Sequence, residues 1–252
     1  MRPSQNKLPA ATGFCLCIGL CLGWFAAALR AAEAPDAWRA LVASGQLVDI
    51  RKYDPTILVE LRYATPRNCV GVAIYPKDFP CLTRPETAVR LRMVQGLLRQ
   101  WGYRLKIWDA YRPAAAQAVL YKRWAGQGYV ANPEEGRGSF HTWGLAVDAT
   151  MVDLIGREVS MPSDFDVFTP DVGAAYAGKD KKVAFHLHLL QAAMGTAGFM
   201  GLRNEWWHFV VRDWHDRQPL VPPGGTPPPK PADAPDLVTP PGAAKTPRRK
   251  SS

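Results

Sequence analysis

Two short segments constrain this chain more than any other feature: Ser139-Phe140-His141-Thr142-Trp143-Gly144-Leu145-Ala146-Val147-Asp148 and Glu205-Trp206-Trp207-His208. Leu145 to Met151 reads as a strand, on which alternate residues share a face. Ala146, Asp148 and Thr150 then point one way, and Leu145, Val147 and Met151 point into a core. Gly144 permits a sharp bend that folds His141 back toward Asp148. A neighbouring strand carrying His208 would close a triangle of two imidazoles and one carboxylate. A catalytic zinc takes about three such ligands and keeps one position open for water. Glu205, on the same segment as His208, is a spare carboxylate able to take the proton from that water. A chain that uses both segments must bring their strands side by side.

The two ends of the 252-residue chain do not suit a packed domain. Residues 1–32 run from Arg2 and Lys7 through an apolar stretch, Phe14 to Leu29, to Ala31 and Ala32. A positive head, an apolar core and a small-residue exit read as a secretory signal. The stretch is short and rich in Gly and Ala for a membrane-spanning helix, which needs about 20 apolar residues. Export, to the periplasm, is the expectation. Residues 221–252 are proline-rich and end in Pro-Arg-Arg-Lys-Ser-Ser, a composition of extended, solvated chain. This tail could also contact anionic surfaces. The two ends carry part of the net charge of +9, so the basic balance does not point to nucleic acid. Residues 33–220 are left as one compact domain. Of the five cysteines, Cys15, Cys17 and Cys21 would leave with the signal. Cys69 and Cys81 remain, and in an oxidising compartment they are expected to pair and staple the loop between them.

Within the domain, Asp36 can cap a short helix through Val42. Ile57 to Tyr63 reads as a strand, rich in β-branched residues. Thr83-Arg84-Pro85-Glu86 has the form of a capping box with proline at the first helical position. The helix it opens places Leu91, Val94 and Leu98 on one face and ends before Gly102. Arg104 to Trp108 is an alternating strand that runs into the turn Asp109-Ala110-Tyr111-Arg112-Pro113. A second helix follows with Val119, Leu120 and Trp124, stopping at Gly126 and Gly128. A third spans Val183 to Met194, and a last strand runs from Trp207 to Val211. Helices and strands mix without a regular βαβ repeat, so the expected class is α+β with a central, mainly antiparallel sheet flanked by helices. His186 and His188, two apart on a helix, diverge and cannot chelate one metal well. His215 follows the last strand and reads as structural or surface.

The pattern Ser-x-His-x-x-Gly-x-Ala-x-Asp followed by Glu-Trp-Trp-His resembles the zinc peptidases that include D,D-carboxypeptidases, D-alanyl-D-alanine dipeptidases (the VanX type) and the hedgehog signalling domain. Leu61-Arg62-Tyr63-Ala64-Thr65 with Asn68, Trp108 to Pro113, and Met161 through Asp166 are similar to motifs of the dipeptidase branch. The resemblance implies a hedgehog-like, D,D-peptidase-like fold and a single Zn2+ held by His141, Asp148 and His208. It implies Glu205 as catalytic base and Arg112 as the cation that steadies the oxyanion. It also implies Tyr63 and Asp166 as holders of the substrate ammonium, and Ser139 as a contact of the substrate carboxylate. The substrate would be a small D,D-dipeptide. Arg112 could instead hold its turn through Asp109. Phe140 and Trp143 are bulkier than the motif leads one to expect and could reshape the pocket mouth. The alternatives are a D,D-carboxypeptidase that trims peptidoglycan stems and a non-catalytic, zinc-containing wall-binding domain.

Overall fold

A computed structural model describes residues 37–125, 130–132, 138–168, 173–228, 230–231 and 236–242. The segment read as a secretory signal lies outside the described residues, as do Gly126 and Gly128. In chain order the elements are α1 (Ala37–Ala43), β1 (Val48–Asp49), α2 (Ile50–Tyr53), β2 (Leu58–Val59), a 3-10 turn (Arg62–Ala64), β3 (Leu82–Thr83), α3 (Pro85–Arg99) and β4 (Tyr103–Asp109). There follow α4 (Ala114–Trp124), β5 (Ala146–Asp153), α5 (Lys181–Thr196), β6 (Phe199–Leu202), β7 (Glu205–Val211), a second 3-10 turn (Trp214–Asp216) and β8 (Leu237–Val238).

The six-stranded sheet has the order β2-β4-β5-β7-β6-β8, and a separate ribbon pairs β1 with β3. Only β2 runs parallel to its neighbour; the other pairs in the sheet are antiparallel. The fold is α+β, as the mixed pattern of elements implied. The central strand β5 is buried on both faces: Ala146, Asp148 and Thr150 are as enclosed as Leu145, Val147 and Met151. The face carrying Asp148 is therefore a covered one, and polar groups on it must find partners.

Several local expectations are corrected. Ile57 to Tyr63 is a strand only at Leu58–Val59, after which Arg62–Ala64 turns as a 3-10 helix. Thr83 does not cap α3. Its hydroxyl donates to Gly144 O at 3.2 Å, and Arg84 is the N-cap with no side-chain bond, so Pro85 alone retains its expected place. On α4, Leu120 is buried but Val119 is exposed. Cys69 and Cys81 are free thiols, not a disulfide. Cys81 is packed in the core, whereas Cys69 is tied to Asp166 by its backbone N–H; burial pushes the Cys69 thiol up to about 12, so it stays protonated. The proline-rich tail is not wholly solvated: β8 adds to the edge of β6, and Gly138 N donates to Lys230 O at 3.0 Å. Backbone pairing to an open edge needs no apolar side chains, so composition does not reveal it. Among the described residues no helix is long and apolar enough to cross a membrane.

The bend at Gly144 is real. Its φ is +64°, and a Cβ there would lie 3.2 Å from Leu220 Cδ1 and 3.3 Å from both Arg84 Cγ and Leu47 Cδ2. Gly144→Ala should lower Tm by about 2–8 °C, from a cost of about 1–2 kcal/mol for a left-handed non-glycine residue. An unchanged melting curve would contradict this turn geometry.

Candidate active site

Strand register builds the site. Asp109 on β4 is opposite Asp148 on β5, and Asp148 is opposite His208 on β7. Directly opposed residues put their side chains on one face, so these three form a row across the centre of the sheet. His141 joins the row from the turn before β5. That turn is closed by Gly144 N donating to His141 O at 2.9 Å and Leu145 N donating to Phe140 O at 2.9 Å.

The His141 ring is oriented by Ala110 O, 2.7 Å from its Nδ1. A carbonyl can only accept, so Nδ1 carries the proton and Nε2 presents a lone pair when the ring is neutral. That Nε2 faces His208 Nδ1 at 3.1 Å, and His208 Nδ1 lies 2.9 Å from Asp148 Oδ1. One proton cannot satisfy both contacts of His208 Nδ1, whereas a single cation would satisfy all three donor atoms. These atoms lie within 4.8 Å of one another and all three residues are buried. Two imidazoles and a carboxylate are a donor set that suits zinc. Burial works against the charge of Asp148, but the facing imidazoles prevail and hold its carboxyl well below the usual range.

Glu205 begins β7, an odd number of residues before His208, and a regular strand would turn the two to opposite faces. The β6–β7 ladder jumps from Gly201–Phe209 to Leu202–Glu205. Such irregularities re-aim side chains, and here Glu205 Oε2 comes to 3.9 Å from His208 Nδ1. Burial pushes the Glu205 carboxyl up to about 7, with His208 opposing and Asp148 adding to the shift.

Arg112 makes the ion pair with Asp109 that its turn suggested. Its Nε and Nη2 donate to Asp109 Oδ2 at 3.0 and 2.7 Å, and Nη1 donates to Gln117 Oε1 at 3.0 Å. Nη2 also lies 3.6 Å from Asp148 Oδ2, so the fixed cation borders the row of donor atoms. Asp109 is the hub that sequence reasoning underweighted. Besides Arg112, it accepts from Tyr75 Oη at 2.8 Å and lies 3.4 Å from His141 Nδ1. The Asp-Ala-Tyr-Arg run after an alternating strand was the available signal. Nothing local marked Tyr75 or Gln117.

Tyr63 and Asp166 do meet, with Tyr63 Oη donating to Asp166 Oδ1 at 3.2 Å. The Arg112 guanidinium carbon lies 4.9 Å from the centre of the Tyr63 ring, which brings this pair to the same wall. Cys69 N donates to Asp166 Oδ2 at 3.0 Å, a contact not foreseen. Burial pushes the Asp166 carboxyl up to about 6, against the pull of the Cys69 N–H. Ser139 Oγ accepts His141 N–H at 3.2 Å and so shapes the ligand turn. Trp143 is packed in the core rather than at a pocket mouth, and Phe140 packs edge-on against Trp214 at 4.9 Å. His186 is bound to Tyr103 Oη and Ser160 O, and His215 stacks on Trp214, so neither joins the site.

A buried cluster of two imidazoles and a carboxylate, with a second carboxyl beside it and a fixed guanidinium bordering it, is the equipment of a metal-assisted hydrolase. Residues 43–220 match the model of the D-ala-D-ala dipeptidase family, peptidase M15, and this chain belongs to that family of peptidases. It is 34% identical over 166 residues to the D-alanyl-D-alanine dipeptidase of Escherichia coli (strain K12), covering 66% of this chain and 84% of the relative. It is 31% identical over 178 residues to the enzyme of the same name from Enterococcus faecalis (strain ATCC 700802 / V583), covering 61% and 85%.

Proposed function

We propose that the protein hydrolyses free D-alanyl-D-alanine, with one zinc ion held by His141, Asp148 and His208. When bound, zinc supplies Lewis acidity to water and to the scissile carbonyl. Glu205 takes the proton of the attacking water and returns it to the leaving amine. Arg112 faces the carbonyl oxygen as negative charge develops on it, a role that a pre-fixed cation fills without reorganising. Ser139 donates its hydroxyl proton to the substrate carboxylate.

The observation that carries the reading is the Tyr63–Asp166 pair. Asp166 is largely buried, and the contacts that hold its carboxylate among the described residues are neutral donors, Tyr63 Oη and the Cys69 N–H. A buried carboxylate is costly without a cation, and the ammonium of an unblocked dipeptide would supply one. A D,D-carboxypeptidase acting on acylated stems has no use for such a pair, and a purely structural zinc has no use for Glu205. The amino-terminal pattern supports action outside the cytoplasm, in the periplasm.

The test compares D-alanyl-D-alanine with its N-acetyl form, in enzyme stripped by a chelator and after zinc is restored. Turnover of the free dipeptide should depend on zinc and exceed that of the blocked one by about 100-fold or more, the scale of losing a partner for a buried charge. Equal turnover of the two would remove the dipeptidase reading, and activity unaffected by chelation would remove the zinc.

A further inference from the structure

Behind Tyr63 lies a cluster of charges that the catalytic reading does not use. Arg62 is 1% exposed, yet three carboxylates reach it: Glu60 at 2.9 Å from Nε, Glu158 at 3.3 Å from Nη2 and Asp164 at 3.4 Å from Nη1. Lys106 of β4 also pairs with both Glu60 and Glu158, and Arg67 pairs with Glu60. Three segments meet here beside β4: the stretch from Glu60 to Cys69, the segment after β5 in which Glu158 forms an isolated bridge to Val152, and the loop Asp164-Phe165-Asp166. The Arg62 guanidinium lies 5.0 Å from the Trp108 ring centre. Trp108 in turn packs on Phe165 at 5.4 Å, and Phe165 on Tyr63 at 5.5 Å.

Two members of the cluster, Arg62 and Asp164, stand next to the groups that fix Asp166. Arg62 precedes Tyr63, whose hydroxyl holds one Asp166 oxygen. Asn68 Nδ2 donates to Thr65 O at 2.6 Å and to Arg62 O at 3.3 Å, and the next residue, Cys69, holds the other Asp166 oxygen through its N–H. Asp164, the Arg62 partner, stands two residues before Asp166. Asp166 has φ +59°, the one non-glycine positive φ among the described residues. A backbone of this kind persists only where its surroundings over-determine it, and here the surroundings are the two hydrogen bonds and the Arg62–Asp164 pair. Of the three carboxylates on buried Arg62, Asp164 is the one on the Asp166 loop, so this pair ties that loop to the stretch from Glu60 to Cys69.

We infer that Arg62, through Asp164, is a positioning residue that holds the Asp166 carboxylate where the substrate ammonium binds, and so sets the preference for an unblocked amino terminus. This rests on the ammonium role proposed for Asp166. A tie of this kind acts on binding of the amine and not on the chemistry at the carbonyl, which separates KM from kcat.

The experiment uses the zinc-loaded full chain and three variants. Asp164→Asn is chosen because Asp164 is exposed and asparagine can keep the Asp164 Oδ1 contact to Phe165 N. Its KM for D-alanyl-D-alanine should rise about tenfold with kcat within about twofold. The inhibition constant of propionyl-D-alanine, which lacks the amine, should not move. Arg62→Lys should fall between wild type and Asp164→Asn, because lysine keeps the charge but not the fork. Asp166→Asn serves as the control. If Asp166→Asn raises KM and Asp164→Asn does not, the positioning role is overturned while the ammonium reading stands. If Asp166→Asn leaves KM unchanged, both fall. A parallel loss in kcat, KM and propionyl-D-alanine binding in Asp164→Asn would mark a merely structural role and also overturn the proposal.

Discussion

Glu205→Gln is expected to reduce hydrolysis of D-alanyl-D-alanine by about 10²–10⁴-fold, the range for removing a general acid–base, while leaving metal content unchanged. Glutamine has the same size and can keep the contact toward His208, but cannot exchange a proton. The carboxyl suits the task by its place, buried beside His208 with Oε2 3.9 Å from Nδ1, and in the metal-free site burial lifts it to about 7. A second readout needs no turnover. In the metal-free protein the folded Glu205 keeps its proton up to about pH 7, whereas the unfolded chain loses it near pH 4.3. Between those values the folded state binds the extra proton, so the Glu205 contribution to stability falls as pH rises. Glu205→Gln should flatten that part of the stability curve. Retention of more than about a tenth of wild-type activity would remove Glu205 from the mechanism.

Arg112→Lys is expected to lower kcat by about 10²–10³-fold, the cost of losing an oxyanion donor, with a smaller change in KM. Lysine keeps one positive charge beside Asp109 and Asp148, so the buried carboxylates are not left uncompensated. It cannot reproduce three directed contacts, two to Asp109 and one to Gln117. Arg112→Ala is the harsher variant, and an unpaired Asp109 there should cost about 3–5 kcal/mol of stability. Thermal melts beside the kinetics separate the two effects. A lysine variant with kcat within about threefold of wild type would leave Arg112 only its role of holding the turn.

The donor residues were legible because their chemistry is strict. Few residue types bind zinc, and His141, Gly144, Asp148, Glu205 and His208 sit at spacings that strands and one left-handed turn can close. The elements that follow from local physics were legible for a similar reason: α3 opens at Pro85 and buries Leu91, Val94 and Leu98 on one stripe. Failures fell where tertiary contact overrode local preference. Arg62 to Ala64 has strand-like neighbours but turns, because Arg62 is drawn into a charge cluster with Glu158 and Asp164 from elsewhere in the chain. Thr83 has the form of a cap but bonds to Gly144, which lies beyond two intervening helices. Cys69 and Cys81 are close in sequence, yet the backbone of one is tied to Asp166 and the other packs into the core.

The sequence by itself determined which side chains could hold a metal, which carboxyl could move a proton, and that helices and strands would mix about a sheet. These depend on residue identity and on periods of a few residues. Only the tertiary structure decided the row Asp109–Asp148–His208, the register jump beside Glu205, the pairing of β8 along the sheet edge, and the meeting of Arg62 with Asp164. Those depend on pairing between distant segments, and on the need of every buried charge for a partner that need not be near it in sequence.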